Sequence, residues 1–120
     1  MTGNKNKYYN DIKSIITESG RYNDIMDDLC QILDQNNKKN IFDFTFHPVI
    51  EEHKITKHLL KIFVGKQIYY IEYDHLSHLD ITNKDIFFPL YESICDVFVE
   101  MIDLAAEKIK NNIYNNRKYI

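Results

Sequence analysis

The chain has 120 residues, of which 44% are hydrophobic and 28% are charged, and its formal net charge is −3. This size and composition predict one folded domain over residues 1–120 and exclude an intrinsically disordered chain. No apolar stretch is long enough to cross a bilayer, and the first ten residues lack the apolar core of a signal peptide, so we expect a cytoplasmic protein without membrane contact.

The amino-acid composition also predicts the kind of genome that encodes the protein. Ile, Lys, Asn and Tyr are abundant, while Ala, Arg and Pro are scarce. The favoured residues have codons rich in A and T. This usage indicates a low-GC genome, such as that of a Gram-positive bacterium, a phage or a large DNA virus.

The first predicted element is an amphipathic helix from about Lys7 to Gln35. Its apolar residues keep the 3.6-residue helical period: Ile12, Ile15, Ile16, Tyr22, Met26, Leu29 and Leu33. Gly20 lies inside this pattern and costs about 1 kcal/mol relative to alanine in a helix. We prefer one helix with a weak or kinked middle, with two shorter helices as the alternative.

The next element is predicted to be a strand, because Phe42, Phe44 and Phe46 alternate with polar residues. Pro48 cannot donate a hydrogen bond to a central ladder, so this strand lies at an edge of the sheet or ends there. We expect residues 49–54 to form a polar connection.

Two apolar runs on either side of Gly65-Lys66 predict a β-hairpin with a type II′ turn. On its core side this hairpin pairs Val64 with Gln67, Ile62 with Tyr69, Leu60 with Ile71, and His58 with Tyr73. On its wetter side it pairs Phe63 with Ile68, Lys61 with Tyr70, Leu59 with Glu72, and Lys57 with Asp74.

After a predicted loop over Leu76–Asp85, Pro89 suits the first turn of a C-terminal helix. The main apolar stripe of this helix contains Leu90, Ile94, Val97, Phe98, Met101, Ala105 and Ile109. A second stripe beside it contains Cys95, Val99, Ile102 and Ala106. The order is therefore α-β-β-β-α, an α+β fold with a three-stranded antiparallel sheet and both terminal helices mainly on one face.

Five acidic residues recur every three or four positions along this C-terminal helix, and no basic residue interrupts them. We name them the acidic ridge: Glu92, Asp96, Glu100, Asp103 and Glu107. Like charges at this spacing repel by about 0.2–0.5 kcal/mol per pair. We expect the ridge either to bind a protein with a basic surface, or to be solvated and paired with lysines of a neighbouring element. Tyr70, beside Lys61, is one further candidate contact.

Direct nucleic-acid binding is not expected. The order α-β-β-β-α also occurs in double-stranded RNA-binding domains, but those domains need basic residues at the start of the second helix. Here residues 85–92 include Asp85 and Glu92 and no basic residue.

A divalent-metal site is the least favoured of the possible functions. His75 and His78 lie near Asp74, and imidazole and carboxylate groups bind such ions. Local hydrogen bonding is the simpler interpretation of these residues. The sequence has no serine-nucleophile motif and no glycine-rich phosphate loop, so we predict neither an enzyme nor a cofactor.

The sequence thus favours a small intracellular binding protein, of the inhibitor, immunity or accessory type, that contacts a basic protein partner through the acidic ridge. The alternative is a structural or regulatory homodimer. Its interface would be the wide apolar face of the C-terminal helix.

Overall fold

A computed structural model describes residues 6–34 and 42–117, with side chains described as far as Asn111. The elements are helices α1 (Tyr9–Thr17) and α2 (Tyr22–Asp34), strands β1 (Phe42–Glu51), β2 (Lys54–Val64) and β3 (Gln67–Tyr73), and helix α3 (Lys84–Arg117). The strands form an antiparallel sheet in the order β1-β2-β3. The predicted α+β fold is confirmed. Gln35, where the first helix was predicted to end, lies outside the described residues.

The N-terminal helical pattern is divided into two helices at Gly20. This glycine has a φ of +80°, in the left-handed region that commonly ends a helix. The Ser19 hydroxyl donates to the carbonyl oxygen of Ile16 at 2.7 Å, and the Arg21 amide donates to the Ser19 hydroxyl at 3.1 Å. The two shorter helices are therefore the alternative that occurs, and the preferred single helix was wrong.

The core lies between one face of the sheet and the three helices. The sheet contributes Phe46, Leu60, Ile62, Val64, Ile71 and Tyr73; α1 and α2 contribute Ile12, Ile16, Ile25 and Leu29; α3 contributes Leu90, Ile94, Val97, Phe98, Met101 and Ala105. Each fully buried aliphatic side chain contributes about 1.5–3 kcal/mol. The opposite face is open, since Ile68 and Tyr70 are about half exposed there.

The β2–β3 hairpin has the predicted register over its seven strand pairs, from Val64–Gln67 to His58–Tyr73. Gly65 has a φ of +59° and Lys66 does not have a positive φ, which agrees with a type II′ turn. β3 ends at Tyr73, so the predicted pairing of Lys57 with Asp74 lies beyond the strand. Lys57 Nζ instead lies 2.9 Å from Glu72 Oε2.

The predicted polar connection over residues 49–54 was wrong, because β1 continues to Glu51 and pairs with β2 up to Lys54. The turn between them consists of Glu52 and His53, with φ values of 51° and 68°. Two successive positive φ values characterise a type I′ hairpin turn. Glycine and asparagine normally mark such a turn, and this turn contains neither.

β1 is an edge strand, as Pro48 predicted, and its outer edge is poorly suited to strand addition. The amide of Phe44 donates to Asp43 Oδ1 at 2.8 Å, so it points away from β2. Alternate residues of a strand direct their backbone groups to opposite sides, so Pro48 has the same orientation as Phe44 and has no N–H to offer. Capped and missing donors protect an edge against pairing with another chain.

α3 begins at Lys84, five residues before Pro89, so the predicted loop was too long. Asn83 caps this helix: its side-chain oxygen accepts the Asp85 amide at 3.0 Å, and its carbonyl accepts the Phe87 amide at 2.9 Å. Pro89 consequently lies inside the helix. Its carbonyl accepts a hydrogen bond of 2.8 Å from the side chain of Asn6.

Gly65→Ala should lower the free energy of unfolding by about 1–2 kcal/mol, because the left-handed conformation disfavours a Cβ atom. A Cβ at this position would also lie 2.9 Å from Ile32 Cδ1. Urea denaturation measures the loss. In an Ile32→Val background, which removes that methyl group, the same substitution should cost less. Equal costs in both backgrounds would show that the contact with Ile32 has no effect.

Candidate functional site

The acidic ridge lies on the outer side of α3. Because Leu90, Ile94, Met101 and their neighbours face the core, the helical period directs the five carboxylates away from the sheet. From Glu92 to Glu107 the ridge extends about 22 Å along the helix. Glu92, Asp103 and Glu107 are exposed, whereas Asp96 and Glu100 are half-buried.

Helix α1 occupies the centre of the ridge. The Tyr9 hydroxyl donates a hydrogen bond to Glu100 Oε1, and Lys13 Nζ lies 3.8 Å from Glu100 Oε2. Burial, followed by the hydrogen bond and negative charge of Glu100, raises the pKa of Tyr9 to about 12. Glu100 therefore holds α1 against α3, which is the pairing with a neighbouring element that the sequence left open.

The three exposed ridge carboxylates have no such partner. Within residues 6–34 and 42–111, no basic side chain forms an ion pair with Glu92, Asp103 or Glu107. The surrounding helices are also acidic: residues 8–34 contain six acidic and two basic side chains, and residues 84–111 contain six and three. Their charge is therefore available to an external group.

Exposed and half-buried apolar side chains lie beside the ridge on α3. We name them the apolar strip: Phe88, Tyr91, Cys95, Val99 and Ile102. Phe88 and Val99 are 60% and 56% exposed. Tyr91 packs on Phe44 of β1, with ring centroids 4.9 Å apart, so the strip adjoins the sheet. Its spacing of three or four residues forms one continuous line along the helix.

Cys95 is the one group with nucleophilic chemistry in the apolar strip, and its surroundings suppress that chemistry. Burial raises the pKa of its thiol, the charges of Asp96 and Glu92 raise it further, and a hydrogen bond with Tyr91 acts in the opposite direction. A reactive cysteine needs a lowered pKa in electropositive surroundings. A raised pKa makes this thiol a poorer nucleophile at neutral pH than an unperturbed cysteine.

Tyr70 lies far from the ridge, on the open face of the sheet. Lys61 Nζ lies 5.6 Å from the Tyr70 ring centroid and 5.3 Å from that of Phe63. Residues 42–73 contain four acidic and four basic side chains, so this face offers no concentrated positive charge to phosphates. The structure does not bring Tyr70 together with the ridge.

The histidine candidates, His75 and His78, line one open surface pocket. His75 Nδ1 lies 3.8 Å from Asp74 Oδ1, with both side chains more than two-thirds exposed, and His78 is also exposed. Among the described residues, no three or more His, Cys, Asp or Glu side chains are placed to share a metal ion. His58, by contrast, is fully buried next to Tyr73.

Comparisons of the chain with protein-family models, with curated proteins and with solved structures find no significant match. In the described part of the chain, no helix is both long enough and apolar enough to span a bilayer.

Tyr9→Phe should lower the free energy of unfolding by about 1–2 kcal/mol, because a hydrogen bond to a charged group is lost. The pKa of Tyr9 is higher in the folded protein, at about 12, than its ordinary value of 10.0. Burial and the hydrogen bond to Glu100 therefore favour the protonated phenol in the folded protein, and this contribution to stability is present below pH 10 and lost as the pH rises from 10 to 12.

Urea denaturation of the wild type and of Tyr9→Phe at pH 8, 10 and 11.5 measures both effects. The difference between them should shrink as the pH rises. Tyr70→Phe on the open face is the matched control and should change stability by less than about 0.5 kcal/mol. A difference between wild type and Tyr9→Phe that stays constant up to pH 11.5 would contradict the assigned hydrogen bond.

Proposed function

We propose that the protein binds another macromolecule, a protein with a basic surface, through the outer side of α3. One observation carries this proposal. Three exposed carboxylates that form no ion pair with the described residues, Glu92, Asp103 and Glu107, run beside the apolar strip. A protein interface commonly combines an apolar centre with a polar or charged border, and this surface has both.

The charge of this surface favours a basic partner. Repulsion along the ridge costs a few tenths of a kcal/mol per pair, and basic side chains of a partner would remove this cost. The acidic side chains of α1 and α2 add to the negative field around the site. Such a field increases the association rate of a positively charged protein.

This arrangement supports the class of function that the sequence favoured, an inhibitor, immunity-type or accessory protein of a low-GC bacterium, phage or virus. Proteins of this class act by covering a surface of their target and need no catalytic group. An acidic surface is suited to covering the basic surface of a nuclease or of another nucleic-acid-binding protein, where carboxylates can take the place of phosphates.

A homodimer through the apolar strip is the second candidate. The exposure of Phe88, Tyr91 and Val99 favours it, since contiguous exposed apolar side chains on a helix are often covered by another subunit. However, a two-fold pairing of α3 helices would bring the two acidic ridges to the same interface. Salt would then strengthen the homodimer by screening their repulsion, whereas it would weaken binding to a basic partner.

Reversing charge on the ridge should abolish partner binding. The test variant is Asp103→Lys with Glu107→Lys, which leaves Glu100 and its contact with α1 intact. Proteins from the native cell that bind immobilised wild type are identified by mass spectrometry, and the purified partner is then titrated by calorimetry. We expect the ridge variant to bind at least tenfold more weakly, and wild-type binding to weaken with salt.

The matched control is Glu18→Lys with Asp34→Lys, because both residues are exposed and the change in net charge is the same. This control should keep most of the wild-type affinity. Equal losses in the two double variants would show a general charge effect. An unchanged affinity in the ridge variant would refute binding through the ridge.

The partner-binding proposal expects the isolated protein to be a monomer. Light scattering from micromolar to near-millimolar concentration should give 14.4 kDa, the mass of one chain, at 0.15 M and at 1 M salt. A doubled mass that grows with salt and disappears in Val99→Lys would favour the homodimer instead. Thr45→Lys, an exposed change on the open face of the sheet, is the control.

A further inference from the structure

Two buried polar side chains form the last pair of the β2–β3 ladder. His58 on β2 is completely buried, and its cross-strand neighbour Tyr73 is 5% exposed. Their ring centroids are 5.5 Å apart at an interplanar angle of 65°. Within the described residues, the two ring nitrogens of His58 and the hydroxyl of Tyr73 have no hydrogen-bond partner.

Residues 74–83, which we name the covering segment, follow β3 directly and bring Leu79 and His78 close to the His58 ring. Leu79 and His78 of the segment are the groups outside the sheet that act electrostatically on the His58 ring. Leu76 and Ile81 anchor the segment in the core, each 4% exposed. Its backbone hydrogen bonds join residues three apart, for example the Ser77 amide with the Asp74 carbonyl at 2.9 Å. The segment is therefore held on the rest of the protein mainly by apolar side chains.

A protonated imidazole would be poorly accommodated at this position. On β3 the facing group is the phenol of Tyr73, on β1 the cross-strand residue is the non-ionisable Pro48, and on the covering segment the nearby ionisable group is His78. None of these groups is an anion at neutral or mildly acidic pH. Asp11 of α1 lines the same pocket as His78 and Leu79, but it is not among the groups that act on the ring. A buried charge without an anionic partner is strongly disfavoured in a protein interior.

We propose that His58 makes the covering segment a pH-sensitive element: the neutral ring keeps residues 74–83 packed on the sheet, and protonation of the ring releases them. Release gives the charged ring access to water. It exposes Leu76 and Ile81, but it breaks few backbone hydrogen bonds because those of the segment are local. Strands β2 and β3 keep their seven paired positions. Opening of the segment is therefore local and does not unfold the sheet.

The direction of the pH effect follows from the burial of His58. Burial lowers the pKa of this ring below its ordinary value of 6.5, while the backbone of Leu79 acts in the opposite direction without reaching hydrogen-bond geometry. The open state therefore binds the proton more tightly than the closed state. The closed state is fully favoured above pH 6.5 and loses stability as the pH falls below that value.

Hydrogen exchange read by NMR, at pH values from 7.5 to 5.0 and corrected for intrinsic exchange rates, tests the proposal. In the wild type the opening constant of amides in residues 76–83 should rise by as much as tenfold per pH unit below pH 6.5, the limit for uptake of one proton. Amides of β2 and β3 should remain protected. His58→Leu, which is of similar volume and cannot be protonated, should give a flat profile.

The matched control is His75→Gln, which removes an exposed histidine of the segment and leaves both His58 and its neighbour His78 in place. It should keep the wild-type profile. Because His58→Leu could fail to fold, the ring protons of His58 in the wild type are also titrated by NMR. Their titration should coincide with loss of protection in the segment.

Three outcomes would overturn the proposal. One is a His58→Leu profile that matches the wild type. Another is titration of His58 with no change in the protection of the segment. The third is simultaneous loss of protection in the segment and the strands, because that result means global acid unfolding.

Discussion

The packing of α3 on the inner face of the sheet determines the rest of this structure. Leu90 and Ile94 are completely buried, and the Phe98 ring lies 4.0 Å from that of Phe42, which fixes the rotation of the helix about its axis. A rotation by one residue, about 100°, would turn ridge carboxylates towards the core, where an unpaired charge costs several kcal/mol. The apolar packing therefore outweighs the few tenths of a kcal/mol lost for each repelling pair on the outside.

Much of the fold could be predicted because its strongest signals are local. The turn at Gly65 sets the β2–β3 register, and Pro48 marks an edge. The errors have equally local causes. The apolar residues of α1 and α2 are buried in the same core, so their helical period continues across Gly20. The period therefore did not show that the helix is interrupted there. Glu52 and His53 adopt positive φ values although the turn lacks the glycine or asparagine that normally marks it. The start of α3 was placed too late because Pro89 suggested the first turn, whereas the N-cap is Asn83.

The candidate site could be predicted only in part, because spacing along a helix shows which residues share a face and not what lies opposite. The spacing of acidic residues in the sequence identified the five ridge positions. The contact between Tyr9 and Glu100 joins residues 91 positions apart, and no periodic pattern contains it. His58 was correctly assigned to the core side of the hairpin. Its lack of a hydrogen-bond partner depends on where the covering segment lies, which propensities do not specify.

The covering segment and the proposed docking surface are connected through the chain. Asn83 ends the segment and caps α3, so movement of the segment would loosen the first turn of the helix. Phe88 and Glu92 lie within the first three turns, whereas Asp103 and Glu107 lie in later turns, on either side of the completely buried Ala105. If both proposals hold, acid would weaken a partner's contacts at the N-terminal end of α3 first. Contacts at Asp103 and Glu107 would persist, so mild acid would loosen a complex before it dissociated.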